Sequence, residues 1–268
     1  MEIFIHLRTH SAYSLSLGAI QVSDLLDLAI NSNQPALALT DNNNLFGALE
    51  FSEKAASLGI QPIIGVQINI KDSFGINEVV LISTNEIGYR NISDIVGLGY
   101  FNSLKSGQPF VTYENLSKKS EGIILLSGGV SKGFISYPIK KDLDEVLLKR
   151  LNFLQEQFEN NFFIELQRFG SESEKIIETK LLEIAYQRKL PLVATNDVFF
   201  RDPSMQEAHE VLMCIESGMT ISNKDRPKVS QENYFKKTNE MFDLFKDIPE
   251  AILNTSLIAQ KCSFRPQI

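Results

Sequence analysis

Three residues near the start of the chain have the types and spacing of a metal site. His6, Arg8 and His10 fall at alternate positions of the run beginning Ile3, and alternate residues of an extended strand leave the same face. Two histidines so placed can open a divalent-metal site, although a histidine at a strand end is more often a hydrogen-bonded structural residue. Arg8 between them weakens the metal reading, because a permanent cation repels an ion and occupies its space. Farther on, Thr40-Asp41-Asn42 is followed by Asn43 and Asn44. Asp41 there can cap a helix beginning near Leu45 or serve as a ligand, and capping is the blander role.

The rest of the chain offers little to complete such a site. A cluster of two or three ions needs roughly eight or nine nitrogen, oxygen or sulfur donors. The chain has only three histidines, His6, His10 and His209, and two cysteines, Cys214 and Cys262, far apart and in no CxxC spacing. Neither a structural zinc site nor a disulfide framework is expected. Ser127-Gly128-Gly129 is not a GxSxG elbow, and no GxGxxG or GxxxxGK[ST] loop follows any strand. With 26 basic and 33 acidic residues the net charge is -7, the wrong sign for a surface that grips phosphates unaided. Basic and aromatic residues are not interleaved as a single-strand platform requires.

The elements that must position these residues read as an α/β pattern: short apolar runs, each followed by a polar turn and a stretch of helical period. Seven strands are expected, at Ile3 to Arg8, Ala36 to Thr40, Pro62 to Ile70, Glu78 to Ser83, Gly122 to Ser127, Phe162 to Gln167 and Leu192 to Thr195. Helices are expected at Ser23 to Asn31, Leu45 to Leu58, Leu143 to Phe158 and Glu172 to Lys189, with Ser23 an N-cap and Gly59 a stop. Further helices follow Pro203, joined by a polar loop from Ser222 to Glu232. Polar clusters where strands end favour a barrel over an open sheet. At 268 residues and 43% hydrophobic one large domain is expected. No apolar stretch is long enough to span a membrane or serve as an export signal, which points to a soluble cytoplasmic protein.

Taken together, the motifs resemble a family. Phe4-Ile-His-Leu-Arg-Thr-His10-Ser-Ala-Tyr-Ser14, Pro35-Ala-Leu-Ala-Leu-Thr-Asp41 and Asn44-Leu-Phe-Gly47 are similar to the first motifs of the amino-terminal polymerase-and-histidinol-phosphatase (PHP) domain of bacterial DNA polymerase III alpha subunits. Ile63-Ile64-Gly65, Gly88-Tyr89-Arg90-Asn91, Leu125-Leu126-Ser127-Gly128-Gly129, Val193-Ala-Thr-Asn-Asp197-Val198, Ala208-His209-Glu210 and Ile248-Pro-Glu-Ala251 follow in the same order. The resemblance implies a distorted, TIM-like (β/α)7 barrel of seven parallel strands with additional C-terminal helices, residues 1–268 forming a single PHP domain. It implies a parent chain that is a DNA-directed DNA polymerase, with catalytic palm and magnesium downstream of residue 268. The implied partners are the proofreading exonuclease, other replicase subunits and, through the parent polymerase, DNA.

Active members of the family hold a metal cluster at the barrel mouth. Carried across one position at a time, its ligand positions fall on Arg8, His10, Leu17, Asn42, Gln67, Glu78, Gly129, Asp197 and Phe199. Only His10 and Asp197 keep their ligand type. Neutral, apolar and cationic replacements at the others make a tight multinuclear site physically implausible. The expectation is therefore a scaffold domain with no catalytic residue of its own and no tightly bound metal. Arg8 is expected to take the metal's place, bonded to one or more of Asp41, Glu78 and Asp197. The competing expectation is a metal-dependent phosphoesterase using a reduced site of His10, Asp41, Glu78 and Asp197.

Overall fold

A computed structural model describes residues 3–104 and 107–268. The first elements are α1 (Val22–Asn31), β1 (Ala36–Leu39), α2 (Ala48–Ser57), β2 (Gln61–Asp72), β3 (Gly75–Ser83) and α3 (Glu86–Ser103). Next come α4 (Tyr113–Ser117), β4 (Ile123–Leu126), α5 (Ser136–Lys140), α6 (Asp144–Phe158), β5 (Phe162–Leu166) and α7 (Glu172–Arg188). The chain ends with β6 (Leu192–Ala194), α8 (Gln206–Ser217), α9 (Thr238–Leu244) and α10 (Pro249–Lys261). None of the described helices is long and apolar enough to cross a membrane.

The described strands form one sheet of six, in sequence order. Two expectations are corrected here. The sheet is not wholly parallel, because β2 and β3 form a hairpin and β3 runs antiparallel to β4 as well. Its tight turn is closed by Gly75 at φ +132°, a conformation that glycine adopts without steric cost. The first expected strand, Ile3 to Arg8, is not a regular strand, which leaves six of the seven expected. Ile5 and Leu7 share an apolar cluster with Ala36, Ala38, Ile63, Val80, Ile82, Leu126 and Val193. His6 packs instead between Phe4 and Phe235, while Arg8 reaches the buried carboxylates described below. Strict alternation therefore fails, and His6, Arg8 and His10 do not share one environment.

The opening segment nevertheless ties the two edges of the sheet together. On one side the Ala38 N–H donates to the His6 carbonyl at 2.9 Å, and Thr40 N–H to Thr9 O at 3.0 Å. On the other, His10 N–H donates to Val198 O at 3.0 Å, beside a parallel bridge between Thr9 and Val198. The opposite sheet face, with Val66, Val79, Leu125 and Ile164, packs under α3, α6 and α7.

Helix ends also differ from expectation. α1 begins one residue before Ser23, with Gln21 at the N-cap and no side-chain cap. α2 starts at Ala48 after Gly47, so Asp41 caps nothing there, while Gly59 at φ +75° ends it as expected. α3 is an 18-residue helix absent from the sequence expectation. Its first turn lies so close to the next strand that a Cβ on Gly88 would meet the Gly122 carbonyl.

A second buried arginine fastens α6 to the hairpin. Arg150 donates from Nε to Asp72 Oδ2 at 3.0 Å and from Nη1 to the Phe134 carbonyl at 2.6 Å, with its guanidinium over the Phe134 ring. Tyr113 Oη donates to the same Asp72 oxygen at 3.2 Å. Arg150→Ala strands a buried carboxylate and opens a cavity, and is expected to cost about 3–5 kcal/mol of unfolding free energy. Urea denaturation of the two proteins measures it.

Candidate functional site

The mouth of the curled sheet is organised around Arg8, whose side chain is fully buried. Every element that reaches the site delivers a side chain to it. Gln67 comes from β2, Glu78 from β3 and Glu165 from β5, and Asp197 follows β6. Arg8 Nη2 donates to Gln67 Oε1 at 2.6 Å and to Glu78 Oε1 at 3.1 Å, and Nη1 contacts both Glu165 oxygens at 3.3 Å. Nε lies 2.9 Å from Asp197 Oδ1, a charge contact without hydrogen-bond alignment. The remaining acceptors are bound in turn. Gln67 Nε2 donates to Glu78 Oε2 at 2.9 Å, and Thr195 Oγ1 and Gln167 Nε2 donate to Glu165 Oε1.

These neighbours set the charge states. Burial is the largest influence on Arg8 and opposes its charge, yet Asp197, Glu165 and Glu78 outweigh it and hold the guanidinium protonated. For Asp197, burial pushes upward, but Arg8 and then His10 prevail and the carboxyl sits below its ordinary range. For the fully enclosed Glu165 burial prevails, and Arg8 only partly offsets its upward shift.

The expected site residues are brought together unequally. Arg8 meets Glu78 and Asp197 as expected but not Asp41. Asp41 instead accepts from Ser11 N–H at 2.7 Å, Ser11 Oγ at 2.8 Å and Ser14 Oγ at 2.6 Å, and so shapes the first loop. His10 Nε2–H donates to Asp197 Oδ1 at 2.9 Å, and its Nδ1 lies 3.3 Å from Ser14 Oγ. Serine, histidine and aspartate thus stand in triad order, but Ser14 is wholly buried and gives its proton to Asp41, so it presents no nucleophile. Asn42 N–H is held by Ser14 Oγ at 2.9 Å. Phe199 stacks on His10 at 4.8 Å between ring centres and on His209 at 5.6 Å. Leu17 offers only its carbonyl, which accepts from His209 Nε2–H at 2.5 Å. His6 lies apart, donating from Nε2 to the Lys236 carbonyl at 2.8 Å.

Sequence reading missed Glu165, Gln167 and Thr195. Glu165 carried a signal, since a carboxylate inside the apolar run Phe162 to Leu166 has to find a partner once buried.

The donor set does not fit a metal cluster. Among the described residues no three or more His, Cys, Asp and Glu side chains are grouped to hold an ion, because Arg8 stands between the carboxylates. The space beside Gly129 is taken up by side chains: a Cβ there would lie 2.2 Å from Gln167 Oε1 and 3.0 Å from Arg8 Nη1, so Gln167 would have to move.

This frame places the chain among known proteins. Residues 6–169 match the model of the PHP domain, and the chain belongs to that family. Relatives named DNA polymerase III subunit alpha match almost all of it: 38% identity over 269 residues in Caulobacter vibrioides and 35% over 264 in Escherichia coli K12. Each alignment takes in 97% of this chain and 23% of the relative, so the chain spans under a quarter of their length. Among solved structures, a Chromobacterium violaceum amidohydrolase aligns at TM-score 0.50 and 16% identity, covering 73% of this chain and 87% of its own. A Bifidobacterium adolescentis protein described as a metal-dependent phosphoesterase aligns at TM-score 0.50 and 14% identity, covering 90% and 95%. Both likenesses are of fold.

The charges lead to three predictions. Arg8→Ala should lose roughly 3–5 kcal/mol at pH 7, with Arg8→Lys between it and the parent. In chelator-treated buffer the deficit of Arg8→Met should shrink from pH 7 to pH 5, because carboxylates deprived of their cation take up protons on folding and acid then favours the native state. A deficit constant over that range would show that the three acids do not depend on Arg8. His6 is shifted the other way, held near pH 4 chiefly by burial. It stays neutral in the fold while the unfolded chain takes a proton near 6.5. Stability should therefore fall by up to about 3 kcal/mol between pH 6.5 and 4, and His6→Gln should flatten that part of the denaturation profile.

Proposed function

We propose that this chain is the amino-terminal PHP domain of a DNA polymerase III alpha subunit, a single unit over residues 1–268 that serves as a non-catalytic scaffold. In this reading nucleotidyl transfer and its magnesium belong to later parts of the parent chain, which also meet DNA. The domain stabilises the polymerase and docks the proofreading exonuclease and other replicase subunits in the cytoplasm. Support comes from the polymerase relatives that match nearly the whole chain.

The observation that carries the scaffold role is Arg8 itself. Its guanidinium touches Glu78, Glu165 and Asp197 at once, in the space where divalent ions would have to sit. The positions Arg8, Leu17, Asn42, Gln67, Glu78, Gly129 and Phe199 are then former ligand positions, with His10 and Asp197 the residual ligand types. The phosphoesterase alternative requires His10, Asp41, Glu78 and Asp197 to act together, and Asp41 is committed to Ser11 and Ser14. A hydrolytic two-metal mechanism needs open coordination positions at paired ions, and the bonded cluster offers none.

The purified protein should carry fewer than two transition-metal ions per chain by elemental analysis. It should show no manganese-dependent hydrolysis of DNA or phosphate esters above that of an Asp197→Asn variant. Robust hydrolysis abolished in that variant would overturn the scaffold reading in favour of the phosphoesterase.

A further inference from the structure

Helix α10 is bound to the fold along one face. Ala251 and Ile252 join the apolar cluster that contains Leu181 and Ala185 of α7, while Ile258 and Ala259 close on Ile5, Ile63 and Val193. The other face carries Glu250, Leu253, Leu257 and Lys261, spaced by three, four and four residues, so the four stand in one line along the helix. Leu253 is 60% exposed and Leu257 51%. Glu250 and Lys261, the only charged residues of α10, are exposed about one turn beyond the leucines, one at each end of the line.

Two further exposed side chains adjoin this line. Ser256 Oγ donates to the Ile3 carbonyl at 3.5 Å, and Tyr186 Oη of α7 donates to Glu250 Oε1 at 2.8 Å. Ile3 is 38% exposed and Tyr186 62%. An apolar surface drawn from three segments and rimmed by polar groups marks an interaction site.

The charges decide what fits it. A two-fold axis across the face at the level of Thr255 lays a second α10 antiparallel to the first. Leu253 then meets Leu257 of the second copy, and Glu250 meets its Lys261, so that both contacts form twice. The positive end of each helix dipole also lies beside the negative end of the other. A parallel pairing would instead set Glu250 against Glu250 and Lys261 against Lys261. A uniformly acidic or basic partner would meet one like charge at an end of the line.

We infer that this face of α10 docks a second copy of the chain through Leu253, Leu257, Glu250 and Lys261. Such a contact uses the same patch on both copies and closes at two.

Sedimentation velocity of the intact natural protein over a dilution series tests this. A monomer–dimer equilibrium is expected, and Leu257→Glu, which sets a carboxylate in the centre of the contact, should leave only monomer with an unchanged circular dichroism spectrum. Glu250→Lys and Lys261→Glu each place two like-charge pairs in the dimer and should raise its dissociation constant roughly tenfold. Carrying both reversals, the protein regains opposite signs and should dimerise like the parent. Monomer at every concentration, or a dimer that a folded Leu257→Glu variant leaves intact, would overturn the inference. A double reversal that dimerises no better than the single ones would overturn it as well, and this series decides the matter should Leu257→Glu fail to fold.

Discussion

One buried cation holds the mouth of this sheet together. Three carboxylates from different parts of the chain converge on a space almost closed to water, where like charges repel strongly and are costly to leave unpaired. Arg8 makes that convergence tolerable. Its planar fork reaches β2, β3, β5 and the segment after β6 at once, so one side chain ties together strands that are far apart in sequence. A lysine's point charge cannot replace that geometry. The uneven outcome, with Asp197 held ionised and Glu165 pushed toward its neutral form, is what a single positive charge shared among three acids produces.

Around this centre the neighbouring side chains are committed to packing and hydrogen bonds within the fold. Gln167 fills the space above Gly129, Phe199 forms the middle of a ring stack between His10 and His209, and Asp41 folds the first loop through Ser11 and Ser14. The domain has the shape of its family, and the polar side chains at its mouth support one another.

Much of this was legible in the sequence. Strands β1, β2, β4, β5 and β6 lie close to the expected runs, because apolar runs bounded by turn residues have few alternatives. Strand direction was not legible: the run Glu78 to Ser83 has the same composition parallel or antiparallel, and only the short link after β2 hints at a hairpin. The opening segment misled because His6, Arg8 and His10 imitate an alternating strand, whereas Arg8 turns inward from beside Leu7 to reach its acids. α3 escaped notice since Gly88, Gly97 and Gly99 interrupt its helical pattern, and glycine argues against helix in isolation. At the site, the meeting of Arg8 with Glu78 and Asp197 was foreseeable from the positions that the family resemblance implied together with charge balance, which also pointed, wrongly, to Asp41. Glu165 was hidden within an apolar strand, where its partner is revealed only by the fold.

The opening segment also determines when the structure can be finished. It bonds to β1 on one side and to Val198 on the other, and the Ile5 N–H donates to Thr255 Oγ1 at 3.2 Å across 250 residues. This opening segment therefore waits for residues made 250 positions later. At roughly 5–20 residues per second, that delay is on the order of ten to fifty seconds. Over that span the acids that Arg8 will neutralise appear one by one, Glu78, Glu165 and Asp197 following it along the chain. Contacts this distant along the chain slow folding, so the nascent protein has a long exposed interval. The ion cluster at the mouth can close once Asp197 has been made, and the opening segment is fully bound only after Thr255.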